Sequence, residues 1–182
     1  MVYPTETFYG LGGHPEIPEA VEKIYRIKGR DFRKPLPLIA ADLGAVLRTV
    51  ATWTTAAERL ASAFWPGPLS LVLPASSTFP PGLHAHTGMV AVRISSHPVS
   101  QLLAAKVGGV LIATSANLSG QSPSRRPEAL PLILVSQVDG IIDSGETAGQ
   151  APSTVVDVTA VPAQLLREGA IPWQAITQFL FN

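Results

Sequence analysis

Short apolar runs, each cut off by proline or glycine, constrain the fold of this chain more than any other feature. Runs rich in Val, Ile and Leu fall at residues 36–40, 69–73, 90–94, 110–114, 140–143, 154–158 and 164–167. At this length, with β-branched residues and turn residues at their ends, they read as strands. Helical spacing recurs between several of them, at 18–28, 54–64, 97–106 and 172–180. The 17 prolines and 15 glycines are spread throughout as punctuation, with no repeat or linker that would divide the chain. Strands mixed with helices over 182 residues predict one α/β domain, 1–182, on a twisted mixed sheet flanked by helices.

The composition excludes several chemistries. The chain has no cysteine, which removes thiol catalysis, disulfides and thiolate-bound zinc. No apolar run approaches the roughly 18–20 residues that span a bilayer, and "MVYPTETFYG" is unlike a signal peptide. A cytoplasmic protein without a membrane segment is therefore expected. Thirteen Lys and Arg balance thirteen Asp and Glu, so any recognition of an anion must be local.

The cations are in fact concentrated. Six of the 13 lie in "KIYRIKGRDFRK", residues 23–34. Pro18 suits the first turn of a helix and Gly29 the position just past its end. Val21, Ile24, Tyr25 and Lys28 then share one face, which places a lysine on the apolar stripe. A lysine there can complement the negative end of the helix. Arg30, Arg33 and Lys34 follow at once, more positive charge than that end requires, and together they can line an anion site at the sheet edge.

Other stretches are informative only jointly. "YGLGGHPE" lacks the third glycine of a dinucleotide fingerprint and reads as a tight turn after a strand. In "ATSANLSG" a buried strand runs into Ser115 and Asn117, side chains that can contact a phosphate or simply cap a turn. "VAVRIS" puts Arg93 in an apolar strand, where it needs a carboxylate partner, from the protein or from a ligand. The histidines show no metal spacing, and no Ser/His/Asp triad is apparent.

In order along the chain, "PTETFYGLGG", "KIYRIKGRDFRKPL", "FWPGPLSLVLPA", "VAVRISSHPV", "ATSANLSG", "STVVDVT" and "LLREGAI" resemble the YrdC-like family of threonylcarbamoyl-AMP synthases, short single-domain type. The resemblance runs from about Tyr3 to Ile171. It implies a sheet and helices around a cationic cavity, and a nucleotidyl transfer in which L-threonine, bicarbonate and ATP give threonylcarbamoyl-AMP and pyrophosphate. Mg²⁺ would accompany the ATP. The product would pass to a tRNA threonylcarbamoyltransferase complex, with weak direct tRNA contact at most.

Residue by residue, the family's Lys-x-Arg falls on Lys28 and Arg30 as the catalytic, phosphate-neutralising pair. Its Ser-x-Asn falls on Ser115 and Asn117, which with Arg167 would bind the nucleotide. Thr5, Thr7, Arg93 and Ser153 would bind threonine, Arg93 through the carboxylate. Asp31 stands where the family usually has proline, and Met89 where a small polar residue is common. The family's usual helix and strand before "PTET" are expected to be missing or short here. A non-catalytic RNA-binding module and a related carbamoyl-adenylate-forming enzyme are the alternatives. Net neutrality speaks against the first, and the absence of cysteine and of additional domains against the second.

Overall fold

The computed structural model describes residues 1–181, so the last residue of the expected 1–182 domain lies outside the described residues. In chain order the elements are β1 (Val2–Tyr3), β2 (Gly10–Leu11), α1 (Pro18–Lys28), β3 (Leu38–Ala40), α2 (Leu43–Thr49), α3 (Thr55–Phe64), β4 (Leu69–Pro74), β5 (Met89–Ile94), α4 (Pro98–Lys106), β6 (Val110–Ile112), β7 (Thr114–Ser115), α5 (Leu132–Val135), β8 (Thr154–Asp157), β9 (Gln164–Arg167) and α6 (Trp173–Phe181).

Local chemistry sets the helix ends. Pro18 opens α1, and Gly29 closes it in the left-handed region at φ 57°, with the Arg30 amide donating back to the Tyr25 carbonyl. Asp42 caps α2 by accepting from the Ala45 amide at 2.7 Å. Thr54 caps α3 through the Ala57 amide, and His97 Nδ1 caps α4 through that of Val99.

Six strands form a mixed sheet in the order β6-β3-β5-β4-β8-β9. Its two faces follow from strand alternation. Leu38, Leu71, Val92 and Ile112 lie on one face, fully buried in the main core with residues of α1, α2 and α3. Burying each such side chain is worth about 1.5–3 kcal/mol. On the other face Ile39 and Leu111 pack with Tyr3, Ala104 and Ala113 in a smaller cluster. Arg93 is the cross-strand neighbour of Ile39, so it stands on that second face.

A second, three-stranded sheet, β1-β2-β7, was not expected. The run at 110–114 is divided between the two sheets. Val110–Ile112 pairs with β3, whereas Thr114 and Ser115 pair with β2. Ala113 makes the transition, its amide donating to the Pro37 carbonyl at 2.8 Å. Pro37 also explains why the strand expected from Leu36 begins only at Leu38. The run at 140–143 forms no strand. It meets the two-residue β1 at a single parallel bridge, Val2 with Ile141, and has no longer partner to extend along.

Candidate active-site cleft

The transition at Ala113 opens a cleft of about 370 Å³ between the sheets. Thr5, Thr7, Arg30, Arg93, Ser115, Asn117, Ser153 and Arg167 line it, eight of the nine residues singled out from sequence. They come from the β1–β2 loop, the turn after α1, β5, β7, the approach to β8, and β9. Among the described residues no acidic side chain lines the cleft.

Three guanidinium groups converge on it. Arg30 is anchored by Nε to the Lys34 carbonyl (3.1 Å) and by Nη2 to that of Pro35 (2.9 Å). Arg167 is anchored by Nε and Nη2 to the Ser153 carbonyl, at 3.1 and 2.8 Å. Both are thus tied down by neutral oxygens and keep their full charge. Arg93, 5% exposed, donates from Nε to Glu6 Oε1 at 2.8 Å. The two sources of a carboxylate partner left open by the sequence are therefore compatible, because Glu6 engages a single donor of five.

Lys28, the ninth residue, does not line the cleft. Its Nζ donates to the carbonyl oxygens of Ser115 and Asn117, the latter at 2.7 Å, and to Asn117 Oδ1 at 3.1 Å. All three ammonium protons are thereby used on the Ser-x-Asn loop. With these three acceptors in place, the ammonium supports the loop that carries Ser115 and Asn117. Burial and the neighbouring Arg30 charge pull its pKa down from the ordinary 10.5 to about 8.

Asn117 is equally occupied. Oδ1 also accepts from the Ser115 hydroxyl at 2.6 Å, while Nδ2 donates to the carbonyls of Leu118 and Gln121. Asn117 thus organises the turn, and both Ser115 and Asn117 lie at the cleft.

The hydroxyls show a similar division. Thr5 Oγ1 donates to the Phe8 carbonyl at 2.7 Å, so in its 3.0 Å contact with Thr7 the proton belongs to Thr7. Ser153 Oγ accepts from Arg167 Nη2 at 3.1 Å and touches the buried Ser70 hydroxyl at 3.0 Å. Thr147 Oγ1 donates to the Thr7 carbonyl at 3.0 Å, fastening the 144–152 segment across the threonine loop. Glu6, Ser70 and Thr147 were missed from sequence. For Glu6 the signal was present, an acid between two threonines in a chain whose strand arginine required a partner.

Among the described residues no cluster of three His, Cys, Asp or Glu could hold a metal. Glu6, the carboxylate beside the cleft, is already committed to Arg93 and Ser95. The residues present therefore do not form a ligand set for a resident Mg²⁺. In a second, more open depression at Arg126, Glu128 and Glu146, Glu146 is paired with both Arg125 and Arg126. No described helix is long and apolar enough to cross a membrane.

Comparison with known proteins agrees with this architecture. Residues 1–169 match the family Sua5_yciO_yrdC, described as "Telomere recombination". The chain is 40% identical over 158 residues to a threonylcarbamoyl-AMP synthase of Stenotrophomonas maltophilia, covering 86% of this chain and 84% of that protein. It is 35% identical over 180 residues to a threonylcarbamoyl-AMP synthase of Pyrococcus abyssi, covering 99% of this chain but spanning only 53% of that relative's length. The crystal structure of P. abyssi Sua5 complexed with L-threonine superposes with a TM-score of 0.94 at 35% identity, over 99% of this chain and 53% of the other. E. coli YciO gives 0.85 at 30% identity, over 96% and 85%. Sequence blocks, sheet order and cleft together lead to one assignment: the chain belongs to the Sua5/YciO/YrdC family.

Proposed function

We propose that this protein is an L-threonylcarbamoyladenylate synthase, forming threonylcarbamoyl-AMP and pyrophosphate from L-threonine, bicarbonate and ATP. One observation carries the proposal: three guanidinium groups face a cleft whose lining contains no acid. Such a site suits a polyphosphate and a carboxylate together, and offers no nucleophile or acid–base pair of its own. A nucleotidyl transfer asks for little else, because positioning and charge stabilisation supply most of the rate.

Arg93 holds the threonine carboxylate, with Thr5, Thr7 and Ser153 around the rest of the amino acid. The threonine nitrogen takes up bicarbonate, losing water, to give a carbamate. A carbamate oxygen attacks the α-phosphorus of ATP, and the bond to the β,γ-pyrophosphate breaks with its electrons going to the leaving oxygen. Arg30 and Arg167 neutralise the phosphates as that charge develops, and Ser115 contacts the nucleotide. Lys28 and Asn117 act behind them by fixing the loop that presents Ser115. Mg²⁺ arrives on the ATP as part of the substrate, with phosphate and water oxygens around it.

In this reading the product passes to a transferase complex acting on tRNA, and the reaction runs in the cytoplasm. An RNA-binding module without catalysis is not favoured, because these cations converge into a recess instead of spreading over a face. Measuring pyrophosphate release with each substrate omitted in turn tests the proposal. Release is expected only when L-threonine, bicarbonate and ATP are all present. Release without threonine would overturn it.

A further inference from the structure

We infer that Glu6 is the positioning residue that prepares Arg93 for a substrate carboxylate. It also keeps polyphosphate away from that end of the cleft. The inference rests on the proposed synthase reading.

Glu6 and Arg93 are both nearly inaccessible, with side chains 10% and 6% exposed. Arg93 reaches the cleft lining and Glu6 does not. Only the Nε edge of the guanidinium is taken, by Glu6 Oε1 at 2.8 Å, and among the described residues the two terminal amino groups make no hydrogen bond to protein. A guanidinium can grip a carboxylate side-on, through Nε and one Nη, or end-on, through both Nη groups. Glu6 blocks the first mode and aims the second into the cleft.

The carboxylate is itself held. Ser95, fully buried, donates from Oγ to Glu6 Oε2. Ser95 Oγ in turn accepts from the Ser100 hydroxyl at 2.9 Å and from the His97 amide at 3.1 Å, at the start of α4. Arg93 is thereby tied to a helix end through two side chains.

Charge provides the second half of the argument. Arg30 and Arg167 rest on carbonyl oxygens, so each presents a full positive charge to the cleft. Among the described residues, Arg93 alone of the three is paired with a carboxylate. Its net field is weak, which suits a singly charged carboxylate gripped by geometry and discourages a triphosphate attracted by charge. The cleft is thus divided into a phosphate end and an amino-acid end.

The test uses the full chain and its Glu6→Gln and Ser95→Ala variants, titrated separately with L-threonine and with ATP after melting curves establish that they fold. Glu6→Gln keeps the shape but removes the charge. It is expected to weaken threonine binding about tenfold, the scale of one charge-assisted contact. It should also make pyrophosphate a competitor of threonine, with ATP affinity held within about twofold. Ser95→Ala, a milder change that leaves Ser100 its bond to the His97 carbonyl, should weaken threonine binding about threefold by loosening Glu6. Unchanged threonine affinity in both variants overturns the inference, as does an equal fall in threonine and ATP affinity, which marks a merely structural role. A wild-type protein that neither binds L-threonine nor needs it for pyrophosphate release overturns the synthase reading itself.

Discussion

Lys28 Nζ and Asn117 Oδ1, 89 residues apart in the chain, lie 3.1 Å from each other inside the protein. The same ammonium holds the backbone carbonyls of Ser115 and Asn117. It functions as an internal cation around which the loop is wrapped, which separates Lys28 from its neighbour Arg30.

Lys28→Ala and Arg30→Ala should therefore fail differently. The first removes three hydrogen bonds and strands the buried Asn117 carbonyl, and should cost about 1–3 kcal/mol of stability as well as activity. The second removes a charge facing the cleft and should weaken ATP binding more than tenfold, with little change in melting temperature. Calorimetric titration beside thermal melts will separate them. Matching losses of stability in the two variants would contradict this division.

Lys28 also predicts a pH dependence. Its pKa falls from 10.5 to about 8 through burial and the Arg30 charge. Between these values the unfolded chain keeps the proton and the folded protein releases it, so this group's contribution to stability rises with pH across that window. Activity should run the other way, because the neutral amine no longer supplies three donors to the loop. Turnover should decline above about pH 8. Lys28→Met should be poor throughout and lack that alkaline limb. Burial pushes the Tyr3 and Tyr25 hydroxyls up, away from the pH 8 limb. A pH–rate profile for both proteins checks the claim.

Ser115→Ala and Asn117→Ala form an ordered pair. Asn117 makes four side-chain hydrogen bonds, three within the loop and one from Lys28, so its loss should cost about 2–3 kcal/mol and nucleotide affinity together. Ser115→Ala removes one bond and should lower ATP affinity with less than about 1 kcal/mol of stability lost. Denaturant unfolding and ATP titration measure both.

Gly149 approaches the threonine loop so closely that a Cβ there would lie 2.3 Å from both the Cα and the carbonyl oxygen of Thr7. Gly149→Ala must displace one segment from the other. The KM for threonine should rise about tenfold or more, since small misplacements at a substrate site are costly, while the KM for ATP should change far less. Steady-state kinetics with each substrate varied will show it.

Much of this was legible in the sequence, for identifiable reasons. Helix α1 was read to its exact ends because Pro18 and Gly29 are local signals, and Lys28 fell on the buried face by spacing alone. Strand β9 was equally clear, a short run bounded by turns. The three-stranded sheet was not legible. Strands β1 and β2 are two residues each, too short for any alternation, and the sheet is completed only when β7, far along the chain, pairs with β2. Helix α2 was missed because it covers seven residues and its cap, Asp42, follows a strand without a break in apolar character. At the site, residue types were readable but their division of labour was not. Whether a lysine faces a ligand or a neighbouring loop depends on a contact across 89 residues, which no local pattern records.

The cleft draws on residues from Thr5 to Arg167, almost the full length of the chain. No short contiguous fragment contains it. A chain still emerging from the ribosome has Thr5, Thr7 and Arg30 but lacks Ser153 and Arg167, and so cannot be recognised by its ligands. Substrates therefore stabilise only the finished molecule, by about 2.7 kcal/mol for a ligand at a hundred times its Kd. If the proposed synthase reading holds, a variant weakened far from the cleft would be sustained by bound nucleotide, and withdrawal of nucleotide would reveal the weakness as loss of the protein.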